Sequence, residues 1–309
     1  MRTLVIVNPA SAGGRTAERW PQLLPHARRL LGDFELAMTR RAGDAEKWAR
    51  EAVARGPHRI VAVGGDGTNH EVANGMVDLE ATEPTPPDST FAFVAMGTGC
   101  DLGRTFDLPR EPLAALEAVA SRPARPMDAM RVETIGHDGR PWRRIAINIV
   151  SLGLGGHSVY LVEKRPKFGT TLPFYLAGLE ALFRSAPWPL RLGLADGSRR
   201  DVRARYVVIA NGRFNGGGMQ IARDARIDDG LLDVITVGPV GKLRLVALTS
   251  QFYDGSIADH PLSQHFRTAA LQVTPDAGAP PIYVEADGEV AGLGPATVTL
   301  LPAALRVHA

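Results

Sequence analysis

The sequence predicts two domains, an open, mostly parallel α/β sheet followed by a mainly antiparallel β-sandwich. Up to about residue 120, short apolar runs alternate with longer amphipathic stretches, the signature of βα units. The stretch Arg122-Pro123-Ala124-Arg125-Pro126 cannot continue a helix and reads as a boundary. Beyond it the texture changes to strands joined by Asp-Gly turns. A length of 309 residues also exceeds what one small core usually organises. Residues 1–126 are therefore read as the α/β domain and 127–299 as the β-rich domain, with the C-terminal tail 300–309 a candidate to complete the first.

In the first domain the strand candidates are residues 4–7, 34–38, 60–63 and 91–95. Helices are predicted over 16–31, 45–55 and 69–77, and Glu111-Pro112 opens another, because proline is tolerated in a first turn. The segment 80–90, rich in Pro, Thr and acid, reads as an exposed loop. In the second domain, turns at His137-Asp138-Gly139-Arg140 and Ala195-Asp196-Gly197-Ser198 join strands 130–135 to 145–150 and 190–194 to 202–210. Helical insertions are expected over 174–183 and 240–251.

Composition narrows the function. Against 33 Asp and Glu stand 35 Lys and Arg, a net charge of +2, so no nucleic-acid partner is expected. With 45% hydrophobic and 22% charged residues the chain is globular. Its single cysteine, Cys100, excludes an internal disulfide and a thiolate-built metal site, and fits a reducing cytoplasm. The uncharged run 145–162 holds Asn148, Ser151, His157, Ser158 and several glycines, a poor bilayer span, so membrane contact is expected to be peripheral, at the inner face. Lys164-Arg165-Pro166-Lys167-Phe168 and the aromatic-flanked segment 174–188 are candidates for it. The competing reading of Leu176, Leu179 and Phe183, at helical spacing, is a face packed on its own core.

The strongest chemical signal is Gly64-Gly65-Asp66-Gly67-Thr68-Asn69-His70-Glu71, where a buried strand meets a glycine-rich loop and then a helix. Glycines let backbone amides approach an anion, the helix presents free N–H groups, and Asp66 is suited to a phosphate-bound magnesium ion. Met96-Gly97-Thr98-Gly99-Cys100-Asp101 and Asn8-Pro9-Ala10-Ser11-Ala12-Gly13-Gly14 follow other strands of the same sheet and should emerge at the same carboxyl edge, where open α/β sheets bind ligands. A Walker-type loop is absent, since Gly238-Pro239-Val240-Gly241-Lys242-Leu243 lacks its spacing and hydroxyl. The glycines at 153–156 read as a strand-to-helix corner.

Together with Asn148, Ser151-Leu152-Gly153, Asn211-Gly212, Gly216-Gly217-Gly218-Met219, Ile227-Asp228-Asp229-Gly230-Leu231-Leu232-Asp233 and Asp287-Gly288-Glu289, these loops make the chain resemble the diacylglycerol kinase catalytic family over nearly its whole length. That family includes bacterial soluble lipid kinases and is related to sphingosine and ceramide kinases. The resemblance implies an NAD-kinase- and phosphofructokinase-like first domain. It also implies an ATP site using Asn8, Pro9, Ala10, Ser11, Ala12, Thr39, Gly64, Gly65, Asp66, Gly67, Thr68, Asn69, His70, Glu71, Gly97, Thr98 and Asp101. Glu289 would be the general base on the acceptor hydroxyl of a lipid at the membrane surface, with Asp66 the other catalytic residue. Magnesium would lie at Asp229 and the backbone carbonyls of Arg226 and Leu231. From the residues alone, a surface turn at 228–233 and a type I′ hairpin turn before Glu289 are equally natural.

Two positions depart from the family pattern. Cys100 and His70 stand where Asn is usual, which removes hydrogen-bonding amides from the phosphate edge. A lipid kinase is thus the expectation, with an impaired nucleotide- or lipid-binding member and an NAD-kinase-type enzyme as alternatives. Monomer and homodimer both remain open, because an edge strand of the β-rich half can pair or not.

Overall fold

Parallel pairing of four strands begins the chain. The computed structural model describes residues 1–79, 88–97, 99–164 and 172–309. The first half runs β1 (Arg2–Val7), α1 (Arg15–Leu31), β2 (Glu35–Met38), α2 (Asp44–Ala54), β3 (His58–Gly64), α3 (Asp66–Met76), β4 (Thr90–Ala95), α4 (Asp101–Thr105) and α5 (Pro112–Ser121). β1 pairs in parallel with β2 and β3, and β3 with β4, so the carboxyl ends of all four strands share an edge. The apolar runs at β1, β3 and β4 are buried on both faces, as parallel strands covered by helices must be. Most of the expected 80–90 loop and Thr98 lie outside the described residues.

The second half continues with β5 (Ala124–Ile135), β6 (Pro141–Ala146), β7 (Ile149–Gly153), α6 (Leu154–Glu163), α7 (Leu172–Arg184), β8 (Trp188–Leu194), β9 (Arg199–Ala204) and β10 (Tyr206–Ala210). It ends with β11 (Leu232–Val237), α8 (Lys242–Ala247), α9 (Thr249–Asp254), β12 (Ser263–Thr268), β13 (Ala270–Pro275), β14 (Tyr283–Ala286) and β15 (Glu289–His308). Antiparallel neighbours β12-β11-β10-β7-β14 form one layer, while β9-β8-β13-β15-β5-β6 form the other. Val150, Val207, Ile209 and Val284 from the first layer meet Leu190, Leu192, Leu271 and Val298 from the second in the sandwich core. The outer face of β10 and β11 is also buried, by Leu182, Leu245 and Phe252 of the helices, which explains the unbroken apolar run 206–210.

Two predicted strands divide. The run 145–150 breaks between β6 and β7, and 202–210 breaks at Arg205, because in each case the chain leaves one layer for the other. Arg205 is buried at its corner, donating to the carbonyls of Ser185 (2.6 Å) and Val240 (3.1 Å). The expected helix 240–251 likewise divides into α8 and α9 at Leu248.

The long strand β15 ties the halves together. It pairs antiparallel with β13, β14 and β5, then ends in parallel register with β4 through Val307↔Phe91 and His308↔Ala92. Leu305 and Val307 are fully buried in the core of the first half. Leu305→Ala should therefore destabilise the protein by about 2–5 kcal/mol. Urea denaturation followed by circular dichroism measures this, and a change below about 1 kcal/mol would deny the C-terminal strand a place in that core.

Candidate active site

Three loops leave the carboxyl edge of the parallel sheet and bind to one another. The Asn8 side-chain amide donates to Thr68 Oγ1 (3.0 Å), its oxygen accepts from the Ala10 N–H (3.1 Å), and Ser11 Oγ donates to the Asn8 carbonyl (2.8 Å). Ser11 Oγ also lies 2.6 Å from Thr16 Oγ1. Pro9 closes the same turn, its carbonyl accepting from Ala17, and Ala12 takes a left-handed φ of 54°. Thr39 is buried beside these residues, its N–H donating to Val7 (2.9 Å). Gly65 and Gly97 cross so closely that a Cβ on Gly97 would lie 2.6 Å from the Gly65 Cα, so this contact requires glycine. Gly64 precedes the crossing, and Thr68, Asn69 and His70 are buried in the first turns of α3. Beside these loops a cavity of about 270 Å³ is lined by Arg15, Arg19, Arg104 and Arg110 together with Gly97 and Cys100, an environment for an anion.

Asp66 and Asp101 face each other across this edge. The Asp66 carboxylate accepts from the N–H groups of Asp101 (3.3 Å) and Leu102 (3.4 Å). Burial, and then the charge of Asp101, push its pKa up to about 6. Burial likewise raises Asp101, which accepts from the Gly217 N–H (2.8 Å) and lies 3.5 Å from Arg104 Nε. Two neighbouring carboxylates, both raised chiefly by burial, are hard-oxygen donors of the kind that would hold a magnesium ion. Cys100 takes a left-handed φ of 53°, a conformation Asn adopts more readily. Its thiol donates to the Gly97 carbonyl (3.1 Å), and burial with the nearby carboxylates pushes its pKa up to about 12, so it is an unreactive thiol.

Glu289 belongs to a second cluster that joins both halves. Asp287 and Gly288, with φ of 50° and 86°, form the hairpin turn between β14 and β15, which is the type I′ pattern. The Asp287 carboxylate accepts from the N–H groups of Ile147 (2.7 Å), Asn148 (2.9 Å) and Ile149 (3.0 Å), filling the gap between β6 and β7. It also lies 3.0 Å from His70 Nδ1. The other ring nitrogen, Nε2, has no hydrogen-bond partner and lies 3.9 Å from Glu289 Oε2. Burial opposes a proton on His70, but the Asp287 hydrogen bond and charge, with Glu289 beyond, hold its pKa above the ordinary histidine value. Glu289 itself is half exposed, and a Cβ on Gly67 would sit 3.8 Å from its Oε1, which sets it against the phosphate loop.

Other predicted site residues have different surroundings. Glu71 turns away from the loops and accepts from the Ala45 N–H (3.1 Å) at the start of α2. At the 226–231 turn, Asp229 accepts from Leu231 N–H (3.2 Å) and pairs with the Arg267 guanidinium, while Arg226 lies 3.6 Å from Asp228. A guanidinium thus already neutralises the one carboxylate that would hold a cation there. The turn thus holds one carboxylate, Asp229, beside the backbone of Arg226 and Leu231, with Arg267 as its counter-charge in this structure.

A second cavity, of about 540 Å³, lies between α6, α7, α8 and α9 on the outer face of the β-sandwich. Leu154, Leu179, Leu182, Val246 and Phe252 make it apolar, with Tyr206, Asn215 and Glu285 at its floor. It adjoins both clusters just described. Gly217 in its wall is the residue that donates to Asp101, and Glu285 accepts from the Gly288 N–H (2.9 Å) of the Asp287-Gly288 turn. Burial pushes Glu285 up to about 7. Glu285, Arg104 and the anchoring role of Asp287 were not read from the sequence. No alternation marks Glu285 in Tyr283-Val284-Glu285-Ala286, a strand buried on both faces.

A glycine-rich sheet edge with paired carboxylates, facing a carboxylate of the second half, has the residue types that phosphoryl transfer requires. Comparison with known proteins agrees. Residues 2–132 match the diacylglycerol kinase catalytic domain, and residues 148–309 match the YegS C-terminal NAD kinase beta sandwich-like domain. The chain belongs to this family of two-domain, diacylglycerol-kinase-type enzymes. A protein of Xanthomonas oryzae pv. oryzae named "Probable lipid kinase YegS-like" is 31% identical over 280 residues, 89% of this chain and 86% of the relative. One of the same name from Stenotrophomonas maltophilia is 30% identical over 309 residues, covering 99% and 96%. The crystal structure of a diacylglycerol kinase from Bacillus anthracis str. Sterne shares the fold, with a TM-score of 0.72 at 20% identity over 99% of this chain and 96% of that one.

The raised pKa of His70 has a definite sign in stability. An unfolded histidine titrates near about 6.5, so the imidazolium's contribution is complete below that pH and is lost as pH rises through the higher folded value. His70→Asn keeps an N–H donor for Asp287 but does not titrate. Urea denaturation of both proteins across this range should show the stability advantage of wild type over His70→Asn shrinking as pH rises. A difference independent of pH would mean that His70 is buried neutral.

Proposed function

We propose that this protein is an ATP- and magnesium-dependent lipid kinase that transfers the γ-phosphate to the hydroxyl of a diacylglycerol-like or sphingoid lipid. The observation that carries the proposal is the apolar cavity of about 540 Å³ whose walls bond directly to both catalytic clusters. That volume falls within the roughly 300–1,000 Å³ of small-molecule sites. An apolar lining beside a phosphate edge suits an acceptor with a hydrocarbon chain and a terminal hydroxyl.

In this reading the nucleotide phosphates lie on the Asn8–Ala12, Gly64–Thr68 and Gly97–Asp101 loops, with the arginine-lined cavity offsetting their charge. Asp66 and Asp101 would hold magnesium, which supplies charge neutralisation of the phosphates when bound. Glu289 takes the proton of the acceptor hydroxyl. The acceptor oxygen then forms its bond to the γ-phosphorus as the bond from that phosphorus to the β–γ bridging oxygen breaks, and ADP leaves. The Asp287 anchor and His70 hold Glu289 opposite Gly67, where this proton transfer must occur.

Transfer of labelled γ-phosphate from ATP to diacylglycerol, monoacylglycerol, sphingosine, ceramide and phosphatidylglycerol in mixed micelles tests the reading. Glu289→Gln should retain ATP affinity and lose about 10²–10⁴-fold in turnover. Retained turnover would remove Glu289 from the chemistry, and ATP binding with no product from any acceptor would favour a binding protein. The cavity's part is tested by Gly178→Leu. Gly178 lines it with no atom within 4 Å of a built Cβ, so the new side chain fills free space. The KM for long-chain acceptors should rise about tenfold or more with the KM for ATP unchanged, and equal values for both proteins would move the acceptor elsewhere.

A further inference from the structure

The helices that wall the apolar cavity carry a concentration of exposed large apolar side chains, of which Tyr253 lines the cavity itself. Leu176 and Phe183 on α7 are 49% and 52% exposed, Leu243 on α8 is 80% exposed, and Tyr253 on α9 is 50% exposed. The other exposed large apolar side chains among the described residues lie elsewhere: Met1 at 70%, Leu36 and Met38 on β2 at 39% each, and Ile135 at the end of β5 at 40%. Single exposed apolar residues are ordinary, whereas several around one opening mark an interaction surface. Leu176 and Phe183 are seven residues apart on one helix face, and Leu179 between them lines the cavity. The two lips also touch: Lys242 at the start of α8 donates to the Phe183 carbonyl and stands 5.7 Å from the Phe183 ring centroid.

Charge identifies the occupant. Lys242 and Arg244 stand on the same lip as Leu243 and make no ion pair among the described residues, while Arg184 on the facing lip is paired with Glu180 (2.8 Å). Apolar side chains flanked by cations that no carboxylate neutralises match the headgroup boundary of an anionic bilayer, into which the apolar groups insert while the cations meet lipid phosphates. No helix among the described residues is long and apolar enough to cross a membrane, so a bilayer substrate must be met from its surface.

We infer that the lips formed by α7 and by α8 and α9 are a docking surface for an anionic lipid bilayer, oriented so that the cavity opens onto the membrane and a lipid chain enters without crossing water. This rests on the lipid-acceptor reading of the cavity. Its α7 lip falls within the segment 174–188 that the sequence offered, whereas Leu243, Arg244 and Tyr253 on the other lip were not among the candidates, and of the basic stretch 164–168 only Lys164, over the Tyr160 ring, is within the described residues.

The test is sedimentation of the full chain with vesicles of phosphatidylcholine alone and of phosphatidylcholine mixed equally with phosphatidylglycerol. Wild type should pellet with the mixed vesicles and release in high salt. Leu243→Asp should bind about tenfold more weakly, from the loss of one inserted Leu, and Arg244→Ala about fivefold more weakly. Both substitutions are on exposed side chains, so unfolding midpoints should match wild type, and transfer to a short-chain acceptor dispersed as monomers should be unchanged. Equal pelleting of wild type and both variants would overturn the surface. So would a wild-type dimer, detected by analytical ultracentrifugation, that Leu243→Asp splits while neither protein pellets, because the patch would then be covered by a second copy. Sedimentation needs no turnover, so it decides the docking surface even if phosphate transfer to lipid fails.

Discussion

The carboxylate of Asp287 is the point on which the rest of the site depends. Strands β6 and β7 part where the chain changes layers, and three consecutive backbone N–H groups would lose their ladder partners there. A buried N–H without an acceptor costs about 1–3 kcal/mol, so three together would forbid the break. One carboxylate oxygen pair, held in a left-handed turn, accepts all three and still bonds the ring of His70. Because His70 belongs to the phosphate-loop helix and Asp287 to the β-sandwich, the same carboxylate fixes how the two halves meet. Glu289 follows it two residues later and inherits its position.

The arrangement keeps opposing electrostatic demands close together. Asp66, Asp101 and Glu285 are all raised, chiefly by burial, in a region that also holds Asp287 and Glu289. Such a concentration of acids is unfavourable by itself and is relieved by the imidazole, by the arginines of the smaller cavity, and by any cation that arrives with phosphate. At the 226–231 turn the same problem has an internal solution, since Arg267 pairs with both Asp229 and Asp233. The second half thus carries its own counter-charge, as Arg104 does for Asp101 at the edge of the parallel sheet.

The cavity and the sheet are linked as directly. Helices α6 to α9 bury the outer face of β10 and β11, and the space they leave is the apolar pocket. Its floor touches Asp101 through Gly217 and the Glu289 turn through Glu285. The surface that closes the core on one side therefore opens toward the phosphate edge on the other, with no separate element needed to join them.

Much was legible from residue order alone, because it is decided locally. Periodicity placed β1, β3, β4 and their helices, the prolines at 123 and 126 ended α5, and the Gly-Gly-Asp-Gly-Thr and Asp-Gly-Glu segments marked the kinase family. The breaks at Arg205 and between β6 and β7 were not legible: an apolar run looks the same whether it stays in one layer or crosses to another, and only distant partners decide. Glu71, read as a phosphate contact, is bonded to Ala45, and Asp229, read as a metal ligand, to Arg267, a partner 38 positions away. The sequence by itself determined which residues have chemistry to offer, since that follows from side-chain type and local backbone. Tertiary structure alone decided which of them are already satisfied by one another, because hydrogen bonds and ion pairs between remote segments exist only once the chain has closed.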